Sequence, residues 1–189
     1  AGDIGADIVA HAAPDGYTLL AITATHTVSA ALRPKMTYDL LRDLTPLSQV
    51  TSLPYMLVVH PSLPVKTGPE LIVLAKKNPG ALMYGSGGNG STQHLGAELF
   101  KVLTKTSMVH IPYKGGAPMM MEIAGGQVQW AITTPLTIIP LAKDKRVKAL
   151  AYASQKRSPL MPEVPTFAES GMPGFEVGNF YAMMAPAQT

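Results

Sequence analysis

The sequence contains no cysteine among its 189 residues. A disulfide framework, a thiolate metal site and a thiol nucleophile are therefore all excluded. Charged residues are scarce as well, at 14% of the chain, and the net charge is only +3. The densest basic run, residues 143–148, is typical of a solvated helix end, so we expect no nucleic-acid partner.

Long apolar runs are also missing. Pro, Gly and Lys interrupt every apolar stretch before it approaches the roughly 20 residues that a membrane-spanning helix needs. Hydrophobic residues nevertheless make up 47% of the chain. This balance predicts a folded globular protein with a sizeable core, arranged as one large domain or two small lobes.

Apolar, β-prone segments alternate with helical patterns along most of the chain. We predict strands over residues 17–23, 53–60, 82–84, 107–111, 128–132, 147–152 and 177–185, and helices over 67–77, 91–103, 117–123 and 136–142. In the helix at 91–103 the apolar residues Leu95, Leu99, Val102 and Leu103 fall on one side. This alternation predicts an α/β protein with a largely parallel sheet. The proline-rich segment 158–174 is typical of a linker or surface loop.

A glycine-rich loop joins the predicted strand at 82–84 to the helix that follows it. Backbone amides at a helix N-terminus bind anions, because the first turn leaves N–H groups unpaired and carries a partial positive charge. Glycine also lets the backbone approach a ligand closely. We predict ligand binding by Ser86, Gly87, Gly88, Asn89, Gly90, Ser91 and Thr92. The alternative is a purely structural role, in which the loop is a tight turn followed by a helix cap.

The same loop satisfies the dinucleotide pattern G-x-G-x-x-G through Gly85, Gly87 and Gly90. A dinucleotide site also needs an acidic residue about twenty positions later to hold the ribose hydroxyls, but no Asp or Glu lies between Glu98 and Glu122. A dinucleotide-binding α/β enzyme is therefore the weaker alternative. No nucleophile elbow of the form G-x-S-x-G is present, and we expect no cofactor.

The five histidines form no close pair with metal-ligand spacing along the chain, so we expect no metal site. His26 lies in a polar loop predicted at 23–27, and His94 lies just behind the glycine loop. Ligands bind at such positions in open α/β sheets. For both residues two roles are left as alternatives, namely a structural hydrogen bond and contact with a ligand.

Several longer motifs occur in a fixed order along the chain. They are APDGYTLL at 13–20, VHPSLP at 59–64, YGSGGNGS at 84–91, HLGAELF at 94–100, VHIPYKGG at 109–116 and PEVPT at 162–166. Together they resemble the solute-binding proteins of tripartite tricarboxylate transporters, also called the Bug or TctC-like family. The resemblance spans nearly the whole chain, and the joint occurrence of the motifs makes it specific.

The resemblance implies a type II periplasmic-binding-protein fold, in which two lobes close over a carboxylated solute in the cleft between them. It implies that residues 54–178 form lobe 2, while 1–53 and 179–189 form part of lobe 1, so that the chain is incomplete at both ends. It further implies a periplasmic, monomeric binding protein that delivers a small carboxylate to the membrane components of a transporter and catalyses no reaction. A solute sensor of the same fold is a further alternative.

The resemblance also maps ligand-facing loops outside the glycine loop. The residues that it adds to the predicted site are Thr25, His26, Tyr113, Thr133 and Thr134. Family members commonly carry Asp or Asn after the strand that ends near residue 132, where this chain has two threonines. Burying an ammonium group without an anionic partner is costly, so we expect a dicarboxylate or aromatic acid as the ligand and not an amino acid.

Overall fold

The computed structural model describes residues 2–189. Its helices are α1 Asp3–Ala10, α2 Ala24–Leu32, α3 Gly68–Lys77, α4 Thr92–Thr104, α5 Gly116–Ala124 and α6 Pro135–Lys143. Its strands are β1 Leu20–Thr23, β2 Leu44–Pro54, β3 Met56–Val59, β4 Met83–Ser86, β5 Val109–Pro112, β6 Trp130–Thr133, β7 Lys148–Tyr152 and β8 Gly178–Pro186. Over these residues, every helix is too short or too polar to cross a bilayer.

The chain divides into two compact units. Unit 1 contains the residues up to Leu53, together with Gly90–Thr92 and Asn179–Thr189, and unit 2 contains Pro54–Asn89 and Gln93–Gly178. Each unit has its own hydrophobic core, with one cluster in unit 1 and two in unit 2.

Unit 2 is built on a five-stranded sheet in the order β5-β4-β6-β3-β7. The pairs β4–β5 and β4–β6 are parallel, whereas β3 runs antiparallel to both β6 and β7. The predicted largely parallel sheet is therefore mixed, because β3 alone is reversed. The three parallel neighbours β5, β4 and β6 end at one edge of the sheet, and that edge carries the glycine loop.

Both faces of this sheet are covered. Strand β3 is buried throughout, and its side chains alternate between two cores, with Leu57 and Val59 in one and Met56 and Val58 in the other. Helices α3 and α4 contribute to the first core, and α5 and α6 contribute to the second. A central strand of this kind has a continuous apolar sequence, and β3 accordingly lies inside the predicted strand at 53–60, although Leu53 and Pro54 belong to β2.

The large apolar residues of α4 do not face the core. Leu95, Leu99, Val102 and Leu103 are 38% to 70% exposed, whereas Ala97 and Phe100 are fully buried. The core side of α4 is therefore its small residues plus Phe100, which packs against Trp130 with 5.4 Å between the ring centroids. Large apolar residues gave the stronger pattern in the sequence but lie on the solvent side.

Unit 1 contains a three-stranded sheet in the order β1-β8-β2. Strand β1 pairs with β8 in antiparallel register, with Leu20 opposite Met184, and both residues belong to the core of this unit. Strand β2 was not predicted, because most of its residues are exposed and they do not form a buried apolar run. The predicted strand at 17–23 begins only at Leu20, since Tyr17 is 93% exposed.

Two predicted loops differ in the structure. Residues 24–27 form the first turn of α2 and not a loop, because Thr23 caps that helix. The segment 158–174 contains no helix or strand, but it is not a linker. Phe167 is 1% exposed in the core of unit 2, and Thr166 forms a bridge to Tyr152.

Candidate functional site

The glycine loop is held by hydrogen bonds to its own neighbours. Gly85 and Ser86 still belong to β4, so the loop begins at Gly87. The amide of Gly87 donates to Gln93 Oε1 at 2.7 Å, and the amide of Gly88 donates to Ser86 Oγ at 3.1 Å. Two of the amides predicted to bind an anion are thus paired within the protein.

Glycine is required at position 88 by the backbone. The residue has a φ of +126°, which side chains strongly disfavour. A Cβ atom added there would lie 3.2 Å from the carbonyl oxygen of Tyr113. Gly88 therefore lets the β4 loop pack directly against the chain that leaves β5.

Gln93 links the ends of β4 and β6 and lies beside the start of α5. Its Oε1 accepts the hydrogen bond from Gly87, which follows β4, and its Nε2 donates to Thr133 Oγ1, at the end of β6, at 2.5 Å. A methyl group on Gly116, the first residue of α5, would lie 3.1 Å from Gln93 Nε2 and 4.0 Å from Thr133 Oγ1. The N-termini of α4, α5 and α6 therefore converge on one point.

This convergence makes the edge of the sheet electropositive. Each helix N-terminus carries a partial positive charge and unpaired N–H groups. In α5 the N-cap is Gly115, which offers no side-chain cap, and Gly116 and Ala117 follow it. No Asp or Glu occurs in segments 85–97, 112–121 or 130–143, so no anionic side chain from these segments neutralises the edge.

An aromatic stack lies behind the glycine loop. The ring of His110 stacks between Tyr84 and His94, with centroid distances of 4.9 Å and 4.1 Å. Its Nε2 lies 2.7 Å from Ser86 Oγ. Burial, followed by the neighbouring His94, lowers the pKa of His110 to about 4, so the imidazole is neutral at neutral pH.

The stack ends on an ion pair. Tyr84 donates a hydrogen bond to Glu98, and Lys101 Nζ lies 2.7 Å from Glu98 Oε1. Burial acts to raise the pKa of Glu98, but the hydrogen bonds from Lys101 and Tyr84 outweigh it and lower that pKa. Burial and the Glu98 carboxylate together raise the pKa of the Tyr84 hydroxyl.

Ser86 and His110 are the residue types of an activated nucleophile and its base. The serine hydroxyl, however, is not accessible to a substrate. Ser86 is fully buried. Its Oγ is also within hydrogen-bond distance of the backbone N and O of Gly88. The pair therefore supports the loop.

The other predicted residues of unit 2 lie around the same edge. Thr133 is fully buried and accepts from Gln93, while Thr134 is 8% exposed and is the N-cap of α6. Tyr113 is half-buried, and burial together with Glu122 raises the pKa of its hydroxyl. Asn89 is exposed at the turn of the loop.

The remaining predicted residues belong to unit 1. Gly90 has a φ of +74°, and Ser91 and Thr92 are buried. Thr25 donates its amide to Thr23 Oγ1 at 3.3 Å, and His26 Nδ1 accepts from the amide of Thr23 at 3.1 Å. His26 thus completes a capping box for α2. Ligand contact by these residues, and a ligand cleft between lobes, stay predictions.

Gln93 and His110 were not singled out from the sequence. Gln93 directly follows the predicted loop, and its role depends on a contact with Thr133, forty residues away. His110 pairs with Tyr84 in the parallel register of β4 and β5, which cannot be read from histidine spacing. Within residues 2–189, no group of three His, Cys, Asp or Glu side chains is placed to hold a metal ion.

Comparison with known proteins identifies relatives of this chain. The sequence profile of the tripartite tricarboxylate transporter family receptors matches residues 1–189. Protein BugT of Bordetella pertussis is 37% identical over 190 residues, which cover 100% of this chain and 58% of BugT.

Solved structures agree with this match. R. palustris Rpa4515 with adipate is 37% identical with a TM-score of 0.95, covering 100% of this chain and 63% of that protein. MatC from Rhodopseudomonas palustris with bound malate is 32% identical with a TM-score of 0.91, covering 100% of this chain and 64% of that protein.

The chain thus spans about three-fifths of the length of these relatives. Their structures confirm the predicted α/β fold of the periplasmic binding proteins, with one lobe only partly present. Family members are solute-binding receptors. The chain belongs to the tripartite tricarboxylate transporter receptor family, also called the Bug or TctC-like family.

Proposed function

We propose that the full-length protein is a periplasmic receptor that captures a small carboxylate without an amino group and delivers it to a tripartite tricarboxylate transporter. Dicarboxylates and aromatic acids are the ligand classes that we expect. The protein acts as a monomer and catalyses no reaction.

The observation that carries this proposal is the convergence of three helix N-termini on Gln93. Its Nε2 lies 2.5 Å from Thr133 Oγ1, and Gly116 packs so close to it that a Cβ atom added there would lie 3.1 Å from Nε2. An anion at this point gains from the partial charges of α4, α5 and α6 together. A cation gains nothing there, because no acidic residue lies in the adjoining segments.

We place the main carboxylate donors at the start of α5. The amides of Gly116 and Ala117 have no partner within their helix. The next residue, Pro118, has no N–H group to satisfy. Because Gly115 and Gly116 lack side chains, the backbone there is open to a ligand. This shifts the proposed contact from Gly87 and Gly88 toward Tyr113 and the glycines that follow it.

The solved relatives support a dicarboxylate in particular. Rpa4515 was solved with adipate, and MatC was solved with malate. Both ligands carry two carboxylates and no amino group. Thr133 and Thr134 stand where an acidic residue would be needed to neutralise an ammonium group.

Calorimetric titration of the full-length protein with matched pairs tests the proposal. We expect succinate to bind more tightly than aspartate, and glutarate more tightly than glutamate, because each amino acid adds only an unpaired ammonium group. Tighter binding of the amino acids would contradict the proposed ligand class. Thermal-shift measurements with NAD provide the second arm, and stabilisation by NAD alone would favour the dinucleotide-binding alternative.

Transport and sensing use the same closing lobes and the same ligand. Deleting the gene for the membrane components separates them. Loss of uptake of the bound carboxylate supports the transport role, whereas unchanged uptake in that strain, together with a transcriptional response that is lost when the receptor gene itself is deleted, supports a sensor.

A further inference from the structure

His110 is held rigidly by its neighbours. It lies on β5, paired in register with Tyr84 on β4. Its ring is nearly parallel to the rings of Tyr84 and His94, with interplanar angles of 20° and 19°. The stack leaves the imidazole little freedom to turn, so the direction of its Nε2 is fixed.

The fixed Nε2 atom of His110 lies next to the hydroxyl group of Ser86. Its Oγ lies 2.7 Å from His110 Nε2, 3.1 Å from the backbone N of Gly88 and 3.2 Å from the carbonyl O of Gly88. The hydroxyl has one proton to donate. An imidazole nitrogen is a stronger base than a carbonyl oxygen and is also the nearer acceptor. Donation to His110 leaves an Oγ lone pair directed at the amide of Gly88.

We infer that His110 is a positioning residue for the glycine loop, whose neutral imidazole orients the Ser86 hydroxyl and thereby holds Gly88 in the shape that solute binding requires. The inference rests on the proposed function of the loop edge. His110 itself touches no ligand. It acts through Ser86 and Gly88, which carry the chain from β4 toward Gln93.

The charge state of His110 matters for the same reason. The titratable groups that face it are Tyr84 on β4 and His94, Glu98 and Lys101 on α4. Burial, His94 and Lys101 lower the pKa of His110 to about 4, while Glu98 opposes them. Once protonated, Nε2 becomes a donor, and the Ser86 hydroxyl must turn to the carbonyl of Gly88. Acid therefore reverses the hydrogen-bond direction beneath the loop.

Two substitutions separate the hydrogen bond from the stacking. His110→Gln keeps a polar group near Ser86 and cannot titrate, whereas His110→Phe keeps the aromatic stack and loses the bond. His60→Gln is the matched control, because His60 Nδ1 also lies 2.7 Å from a serine hydroxyl, that of Ser62, at the end of β3.

The experiment uses the full-length protein, with nitrogen-15 NMR of the histidine side chains, amide hydrogen exchange and calorimetry with succinate and adipate. We expect His110 Nε2 to be unprotonated at pH 7. The exchange of the Gly88 amide should quicken about tenfold in His110→Phe, as the loss of one oriented hydrogen bond predicts.

Binding should follow the same order. At pH 7 we expect the affinity of His110→Phe to lie about tenfold below that of the parent, and that of His110→Gln to stay within about threefold of the parent. Protonation of the ligand's own carboxylates weakens binding in both proteins below about pH 5, but the parent should lose affinity more steeply than His110→Gln, since only the parent also titrates at position 110. His60→Gln should behave as the parent.

A protonated Nε2 at pH 7, or equal Gly88 exchange in His110→Phe and the parent, would overturn the inference. These two measurements need no ligand. If the parent binds no carboxylate at all, the proposed function is contradicted while the NMR and exchange data still decide the role of His110. The parent's own NMR spectrum decides it even if His110→Phe does not fold.

Discussion

The side-chain amide of Gln93 has only one possible orientation with respect to Thr133. The backbone N–H of Gly87 must donate, so Gln93 Oε1 faces Gly87, and Nε2 therefore faces Thr133 Oγ1. The Thr133 hydroxyl is thus an acceptor in this bond and keeps its own proton for another partner. Through Gln93, forty residues earlier, a fully buried threonine is in this way linked to Gly87 of the glycine loop.

Replacing Thr133 tests this link. Thr133→Val leaves Gln93 Nε2 without its acceptor, and we expect the free energy of unfolding to fall by about 1–3 kcal/mol. Thr133→Ser keeps the hydroxyl and should lose about 1 kcal/mol or less, from the missing methyl group. Urea unfolding measures both. Equal losses in the two variants would mean that the hydrogen bond adds nothing to stability.

Gln93→Glu tests the electrostatics of the site. The new carboxylate keeps the acceptor for Gly87 but adds a negative charge where three helix N-termini meet. We expect the affinity for succinate to fall about tenfold or more, because two like charges at close range repel strongly in a partly buried site. Gln127→Glu, at an exposed turn, is the matched control and should bind as the parent does. Similar losses in both variants would point to net charge and not to this position.

Gly88→Ala should be destabilising, because it adds a Cβ atom at a φ of +126° and 3.2 Å from a carbonyl oxygen. The expected loss is about 1–3 kcal/mol of unfolding free energy. Gly5→Ala is the control, and there we expect the unfolding free energy to change in the opposite direction. Gly5 lies inside α1 with no atom near its would-be Cβ, so alanine there should stabilise by about 0.5–1 kcal/mol. A neutral Gly88→Ala would show that the loop has another conformation.

Stability should depend on pH through His110. Its pKa is about 4 in the folded protein against 6.5 ordinarily, so the unfolded state binds more protons in between. The stabilisation is therefore complete above about pH 6.5 and is lost as the pH falls toward 4, by at most about 1.4 kcal/mol per pH unit. Partial exposure reduces this slope.

His110→Gln removes that contribution. Urea unfolding of the parent and this variant at several pH values between 7 and 4.5 should show the parent losing stability faster as the pH falls. Parallel curves would mean that His110 titrates alike in the folded and unfolded states.

Much of the fold was predictable because local patterns agreed with burial. Strand β3 is a continuous apolar run with both faces covered, and α3 begins at a threonine cap with Pro69 in its first turn. The misses have a common cause. Strand β2 is mostly exposed, and α4 turns its large apolar residues to solvent, so neither follows the usual periodicity.

The position of the candidate site in the sequence was predictable, but the hydrogen bonds that hold its residues in place were not. The glycine loop was located by its composition between a strand and a helix. The pairing of the Gly87 and Gly88 amides depends on Gln93 and Ser86, and the support of Ser86 depends on His110. These contacts arise from the parallel register of β4, β5 and β6, which no local pattern encodes.

The most direct measurement is a crystal structure of the full-length protein with bound succinate. A carboxylate oxygen should lie within about 3.2 Å of the amide nitrogen of Gly116 or Ala117, beside Gln93 and without an acidic side chain in contact. Succinate bound away from the N-termini of α4, α5 and α6 would contradict the proposed site.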